Sequence, residues 1–411
     1  MSERPRELML VGIGRMGRPY LTAARRLGLR VRAVEATSRL DTLADDVVAS
    51  VHPCRGELDE LWAEAANAAV LAGTPDGIVA FSEHQVLAAA LLQDALGLPG
   101  PSLYAAVLSR NKALQRGRFA AHGVRQPEYV VTDDLEAESD WAAERLPVVV
   151  KPLSSAGSAG VELVTDLDAY RELAVRRSGE RPLLVETAVD GPEYSWEALV
   201  VDGDVWFSNT TAKETTGPPY FVEIAHRTGV ELPPDDATRV DELASRVLSA
   251  LRMRTGLVHL EFRLADAGPT LMEIAVRMPG DFVMDLLCLT YGVDWFELAV
   301  RAAVSSPLPD RPSRRVQYAA SYLPIALPGV VTEIRGIADV AAHPCVVEAF
   351  VRVGEGDEVE PVRSSVQRVG HVLLAADSSD ELEAALAYVR EKLVVCTSPD
   401  GIELTHAVGV R

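Results

Sequence analysis

The stretch from Thr255 to Gly280, TGLVHLEFRLADAGPTLMEIAVRMPG, constrains the fold of this chain more than any other. Two alternating runs, residues 257–264 and 270–277, flank the turn-forming Asp266-Ala267-Gly268-Pro269, so the stretch predicts a β-hairpin. Successive strand side chains point to opposite faces. His259, Glu261 and Arg263 therefore share a face of the first strand, and Glu273, Ala275 and Arg277 share a face of the second. The apolar Val258, Leu260, Phe262 and Leu264, with Met272, Ile274 and Val276, turn the other way. A turn centred near Ala267 sets Glu261 opposite Glu273. Directly opposed carboxylates repel, so the pair calls for a cation. Oxygen ligands beside Arg277 suit Mg²⁺ bridging a phosphate.

A chain of 411 residues exceeds one hydrophobic core and predicts about three domains of roughly 100–200 residues each. Sixty acidic against forty basic residues give a net charge of −20, which argues against a nucleic-acid or anionic-membrane surface. Cys54, Cys288, Cys345 and Cys396 are scattered, without a CxxC pair. Neither a zinc site nor a disulfide framework is expected, and a reducing cytoplasm is the expected location. No apolar run approaches the roughly 20 residues of a membrane span. The opening MSERPRE lacks the apolar core of a signal peptide.

Taken in order, a short strand at 7–11 runs into Gly12-Ile13-Gly14-Arg15-Met16-Gly17, a helix through 27 and a second strand at 29–34 ending at Glu35. GxGxxG followed by an acid about 20 residues on is the dinucleotide fingerprint, which makes an NAD-dependent oxidoreductase the rival enzyme class. A strand at 77–81 carries Ser82-Glu83-His84 at its carboxyl end, where open α/β sheets bind ligands. Asn111-Lys112 opens a basic helix running to about 122. A strand at 146–151 ends in Lys151, followed by Pro152-Leu153-Ser154-Ser155-Ala156-Gly157-Ser158-Ala159-Gly160 and another strand at 161–164. The amides and hydroxyls of such a hairpin loop can close over phosphates. It is not a Walker A loop, since GxxxxGK[ST] is absent.

The strand at 182–186 ends in Glu186, with Glu193 beyond a glycine; two such acids can accept from an adenine amine and from ribose hydroxyls. Residues 212–229 form a polar, non-periodic stretch with Lys213, Tyr220, Glu223, His226 and Arg227, which reads as a substrate lid. An amphipathic helix at 235–253 precedes the central hairpin, and helices at 282–303 break near Gly292 after it. Pro307, Pro309 and Pro312 mark a boundary. The last hundred residues alternate short strands (319–323, 346–351, 371–376) with a final helix at 379–392. They read as an α+β cap without chemistry of its own, in which Ser364, Ser365 and Arg368 are at most loop contacts.

Together these stretches resemble the ATP-grasp carboxylate–amine ligases, most closely the L-amino acid ligases that form dipeptides. The resemblance implies an α/β and α+β chain: a Rossmann-like pre-ATP-grasp domain (1–108), an ATP-grasp domain (109–305, with a small lid subdomain at 109–185 and the main part at 186–305) and a C-terminal α+β cap (306–411). It implies that Lys112 and Lys151 contact ATP phosphates and that Ser154, Ser155, Gly157, Ser158 and Gly160 belong to the phosphate-covering loop. Glu186 and the backbone of Ala188 would meet adenine, and Glu193 the ribose. Glu261 and Glu273 would hold Mg²⁺, or Mn²⁺, with Arg277 stabilising the transferring phosphoryl group.

The segment PYFVEIAH is similar to the loop with which dipeptide-forming members recognise the first amino acid, which carries onto Glu223 and His226. Both could also serve as a base for the attacking amine. Asp281, four residues past Arg277, is expected near the acceptor pocket, favouring a basic substrate. The partners implied are a small-molecule carboxylate and an amine, and a homodimer is compatible with the fold. The usual Glu-x-Asn metal motif is here Glu273-Ile274-Ala275. The missing amide admits a non-catalytic nucleotide- or amino-acid-binding homologue as a second alternative.

Overall fold

Leu8, Met9, Leu10 and Val11 are all fully buried, as a strand must be when both faces of its sheet are covered. Leu8 and Leu10 point into one apolar cluster and Met9 and Val11 into another, following the two-residue period of a strand. The strand Glu7–Val11 lies inside a parallel sheet, between Arg30–Ala36 and Gly77–Ala80, with Ser50–Cys54 at the edge. The computed structural model describes residues 5–398 apart from 15, 44–47, 181 and 314.

The glycine turn of this sheet is closed off. The Glu35 carboxylate, fully buried, accepts from the amides of Ile13 (2.6 Å) and Gly14 (2.8 Å). A dinucleotide would need both the acid and those N–H groups; here they satisfy each other. A Cβ on Gly17 would lie 2.4 Å from the Ile13 carbonyl and 2.5 Å from the Phe81 ring, so the glycine serves close packing of the turn. The oxidoreductase reading has no free fingerprint left to stand on.

A second, antiparallel sheet is ordered Tyr129–Thr132, Leu183–Thr187, Val148–Pro152, Glu162–Val164. The third is the largest, with eight strands. It runs Gly268–Ala275, Gly256–Ala265, Glu193–Val201, Asp204–Thr215, Glu223–Thr228, Tyr318–Tyr322, Gly370–Ala376, Val346–Val351. The first two are the expected hairpin, with Glu261 opposite Glu273 and His259 opposite Ala275. Its apolar face packs on the helix Pro234–Leu251, through Val258, Leu260, Phe262, Ile274 and Val276 against Val240, Leu243 and Val247.

The stretch 212–229 is not a lid. Strands Asp204–Thr215 and Glu223–Thr228 pair antiparallel through it, leaving a short connection. Residues 205–209 read as a strand from the sequence, but its continuation to Thr215 and the strand Glu223–Thr228 do not, because Thr211, His226 and Thr228 are buried polar residues. The last three strands of the sheet come from the segment after residue 305, so this segment is continuous with the sheet that carries the hairpin.

Candidate active site

The polar face of the hairpin, the small antiparallel sheet and the connection between residues 215 and 223 enclose a cleft of about 310 Å³. Ionisable side chains meet there from every layer. Lys112 opens the helix Lys112–Ala120, whose N-cap Asn111 accepts from the Leu114 amide. This lysine is buried rather than solvated, and Nζ donates to the Ser155 carbonyl (2.8 Å) and to Glu273 (3.0 Å). Lys213 is enclosed by three glutamates, Glu261 (2.6 Å), Glu193 (3.0 Å) and Glu223 (3.2 Å). Burial pulls its pKa down, but these carboxylates raise it well above the ordinary lysine range.

Each of the two opposed glutamates thus has an ammonium of its own, Glu261 with Lys213 and Glu273 with Lys112. His259 adds a second donor to Glu261 at 3.2 Å and donates from its other nitrogen to the buried Glu197 at 3.0 Å. Burial lowers the His259 pKa, yet the hydrogen bonds to Glu197 and Glu261 push it up to about 9. The Glu261 carboxyl, which burial raises, is held well below its usual range by Lys213 and His259.

Lys151 and Glu186 form an ion pair across the small sheet, and Arg116 reaches the other Glu186 oxygen. All three are nearly inaccessible to water. Burial lowers the Lys151 pKa against the pull of Glu186; burial raises that of Glu186, but the two cations hold it low. Both Glu186 oxygens are engaged, although each carboxylate oxygen keeps a further lone pair toward the cleft. Ala188, whose backbone is expected to meet adenine, lines the cleft; its N–H donates to the Pro147 carbonyl at 2.9 Å, which leaves its carbonyl for that contact. Glu193, besides Lys213, accepts from Arg263 at 2.9 Å.

The loop between Val148–Pro152 and Glu162–Val164 leans over the cleft. Ser155, Gly157 and Ser158 line it, while Ser154 and Gly160 face outward. Ser158 Oγ donates to the Phe221 carbonyl (3.1 Å) and to Glu223 (3.4 Å). Gly157 has a φ of +62°, and a Cβ there would lie 3.1 Å from Ser365 Oγ. Ser365 belongs to the C-terminal segment; its amide donates to the Gly157 carbonyl (3.0 Å) and its hydroxyl to Glu223 (3.3 Å). The segment expected to carry no chemistry therefore closes one side of the site.

Arg277 lines the cleft with its Nε tied to Glu83 of the first sheet and one Nη donating to the Met278 carbonyl at 2.9 Å. The other Nη makes no hydrogen bond among the described residues. Burial raises the Glu83 carboxyl pKa, but Arg277 and then Arg110 hold it down, so the strand-end acid orients this arginine.

Asp281 departs most from expectation. Arg368 grips it bidentately (2.5 and 2.8 Å) and His226 Nε2 lies 3.2 Å away. Burial raises the Asp281 pKa, but these partners hold it far below the carboxylate range. Its charge is already paired within the protein, so a basic substrate at this wall of the cleft would meet a carboxylate shared with Arg368 and His226. Asp281 and Phe282 take φ values of +56° and +64°, conformations that cost non-glycine residues about 1–3 kcal/mol each. The paired guanidinium offsets that cost at Asp281.

Among the described residues no three His, Cys, Asp or Glu side chains form a ready metal cage. Glu261 and Glu273 nevertheless suit a hard divalent cation whose other ligands are phosphate oxygens and water. Lys112, Lys213, Arg116, Glu83, Ser365 and Arg368 owe their places to partners distant in sequence. Of these the sequence marked Lys112 for phosphate, Lys213 and Glu83 for ligand contact and Ser365 and Arg368 as at most loop contacts; Arg116 alone gave no signal.

The ATP-grasp domain model matches residues 144–285, and the model of L-amino acid ligase C-terminal domain 2 matches residues 321–398. Uncharacterized protein y4rH of Sinorhizobium fredii is 29% identical over 401 residues, covering 93% of this chain and 81% of that protein. Carnosine synthase 1 of Gallus gallus is 28% identical over 345 residues, covering 76% of this chain; the chain spans only 37% of that protein's length. The crystal structure of L-amino acid ligase from Bacillus licheniformis superposes with a TM-score of 0.82 at 22% identity, covering 97% of this chain and all (100%) of that one. The chain therefore contains an ATP-grasp domain over residues 144–285 and, over residues 321–398, C-terminal domain 2 of the L-amino acid ligases.

Proposed function

We propose that this chain is an ATP-dependent ligase that joins a carboxylate to an amine, with amino acids or amino-acid-like molecules as substrates. The observation that carries the reading is the opposed Glu261–Glu273 pair at the floor of a cleft ringed by lysines and roofed by a small-residue loop. The substrate carboxylate attacks the γ-phosphate of ATP, giving an acylphosphate and ADP. The amine then attacks the acyl carbon, phosphate leaves, and an amide forms. The chain contributes positioning and charge neutralisation.

Lys112 and Lys151 neutralise the phosphates, and Ser155, Gly157 and Ser158 cover them. Glu186 accepts from the adenine amine through its remaining lone pairs, the backbone at 187–189 frames the ring, and Glu193 accepts from the ribose. Arg277, its orientation set by Glu83, offers its free Nη to the transferring phosphoryl group. Glu261 and Glu273 would hold Mg²⁺, which supplies charge neutralisation at the phosphate oxygens. Lys112 and Lys213 then give up one partner each to the ion. Glu223 and His226 receive the ammonium of the first amino acid. The roof excludes water that would otherwise hydrolyse the acylphosphate.

Hydroxylamine in place of the amine tests this chemistry. With ATP, Mg²⁺ and a panel of L-amino acids, a hydroxamate should form together with ADP. Release of AMP and pyrophosphate with the hydroxamate would indicate an acyl-adenylate and overturn the acylphosphate route.

A further inference from the structure

His226 Nδ1 is buried and lacks any hydrogen-bond partner, although the whole residue is only 3% exposed and lines the cleft. A buried polar atom left in that state is costly unless something outside the chain pairs with it. The other ring nitrogen faces Asp281 Oδ2 at 3.2 Å. A carboxylate gripped by a bidentate arginine only accepts, so Nε2 carries a proton, and in the neutral ring Nδ1 then presents its lone pair. On the same strand, Glu223 also lines the cleft and is held by Lys213, Ser158 and Ser365 through contacts of 3.2 to 3.4 Å, long enough to be exchanged.

Resting on the ligase reading, we propose that Arg368 and Asp281 are positioning residues for the first substrate. They fix His226 as the Nε2–H tautomer, so that Nδ1 and the Glu223 carboxylate together accept from the substrate's α-ammonium. Arg368 also donates to the Glu223 carbonyl (3.3 Å) and, through Nε, to the Ser365 carbonyl (3.0 Å). One guanidinium from the C-terminal domain thus ties both halves of the ammonium site to the roof. Asp281, which also lines the cleft, sets which way the histidine's proton points and acts through His226. Selectivity for an α-amino acid over the same acid without its amine is then a property that the C-terminal domain confers on the ATP-grasp site.

The test combines a spectroscopic and a kinetic readout. In ¹⁵N-histidine NMR of the wild type, with His226→Gln for assignment, His226 Nδ1 should give an unprotonated, acceptor-type resonance. That resonance should move when the amino acid giving most ADP in the panel is added. Wild-type kcat/KM for that amino acid should exceed the value for its des-amino analogue by at least about a hundredfold. Asp281→Asn, which offers an N–H to Nε2 and reverses the tautomer, should cut this ratio about tenfold or more with the KM for ATP within about twofold. Asp281→Glu should restore most of it.

Should Asp281→Asn not fold, Arg368→Gln carries the same test, with a loss of about three- to tenfold in the ratio. A proton on His226 Nδ1 in the wild type would overturn the proposal. So would variants that slow the amino acid and its analogue by one common factor. If no amino acid elicits ADP from the wild type, the ligase reading itself fails, and the tautomer measurement separates that outcome from this one.

Discussion

At Glu186 a single carboxylate balances two buried cations, Lys151 and Arg116. Removing one partner from such a cluster leaves uncompensated charge in a low-dielectric interior, at a cost of about 3–5 kcal/mol. Glu186→Ala should therefore lower unfolding free energy by about that amount in urea titrations, besides weakening ATP binding. Stability within about 1 kcal/mol of wild type would show that the cluster is solvated.

His259 makes a pH-dependent contribution of known sign. Its pKa rises from 6.5 to about 9 on folding, so the stabilisation is complete below pH 6.5 and is lost as pH climbs through about 9. Metal-free protein should lose stability over that window with a slope approaching about 1.4 kcal/mol per pH unit, and His259→Gln should flatten the slope. Glu261 and Glu273 were legible as a facing pair because turn position fixes strand register. Their ammonium partners were not, since Lys112 lies 161 residues from Glu273 and Lys213 lies 48 from Glu261. The pairing of Asp281 was hidden for the same reason, its partner Arg368 being 87 residues away.

The elements that sequence patterning found are those whose apolar face repeats with a clear period. The hairpin, the helix Pro234–Leu251 and the helix Ser379–Lys392 are of this kind. The part of Asp204–Thr215 beyond residue 209 and the strand Glu223–Thr228 escaped because the sheet face they offer is the polar floor of the site. Strands Gly329–Arg335 and Val394–Ser398 were missed too; they pair with each other across more than fifty residues of chain. In the first sheet the glycine turn is structural. Gly17→Ala would drive a methyl group into the Ile13 carbonyl and the Phe81 ring. Overpacking of this kind costs about 1–3 kcal/mol, and the variant should show a lower urea midpoint with an unchanged KM for ATP.

Across the whole molecule the site is a junction. The first sheet supplies Glu83, which orients Arg277; the small sheet supplies Lys151 and the roof loop; the large sheet supplies the two facing glutamates. The C-terminal segment supplies Ser365 and Arg368 and continues the large sheet. The order of motifs along the chain pointed to the ATP-grasp domain, whereas the meeting of all four parts required the three-dimensional structure. Among the described residues no helix is long and apolar enough to cross a membrane.

The central claim is that ATP cleavage is tied to amide formation. The most direct measurement is simultaneous quantification of ADP and amide product from ATP, Mg²⁺ and pairs drawn from a panel of L-amino acids. The account predicts one ADP per amide for at least one pair, with both products falling at least about a hundredfold in Glu273→Ala, where a metal ligand is lost. ATP binding without ADP from any pair, or ADP released in the same amount by Glu273→Ala, would contradict it.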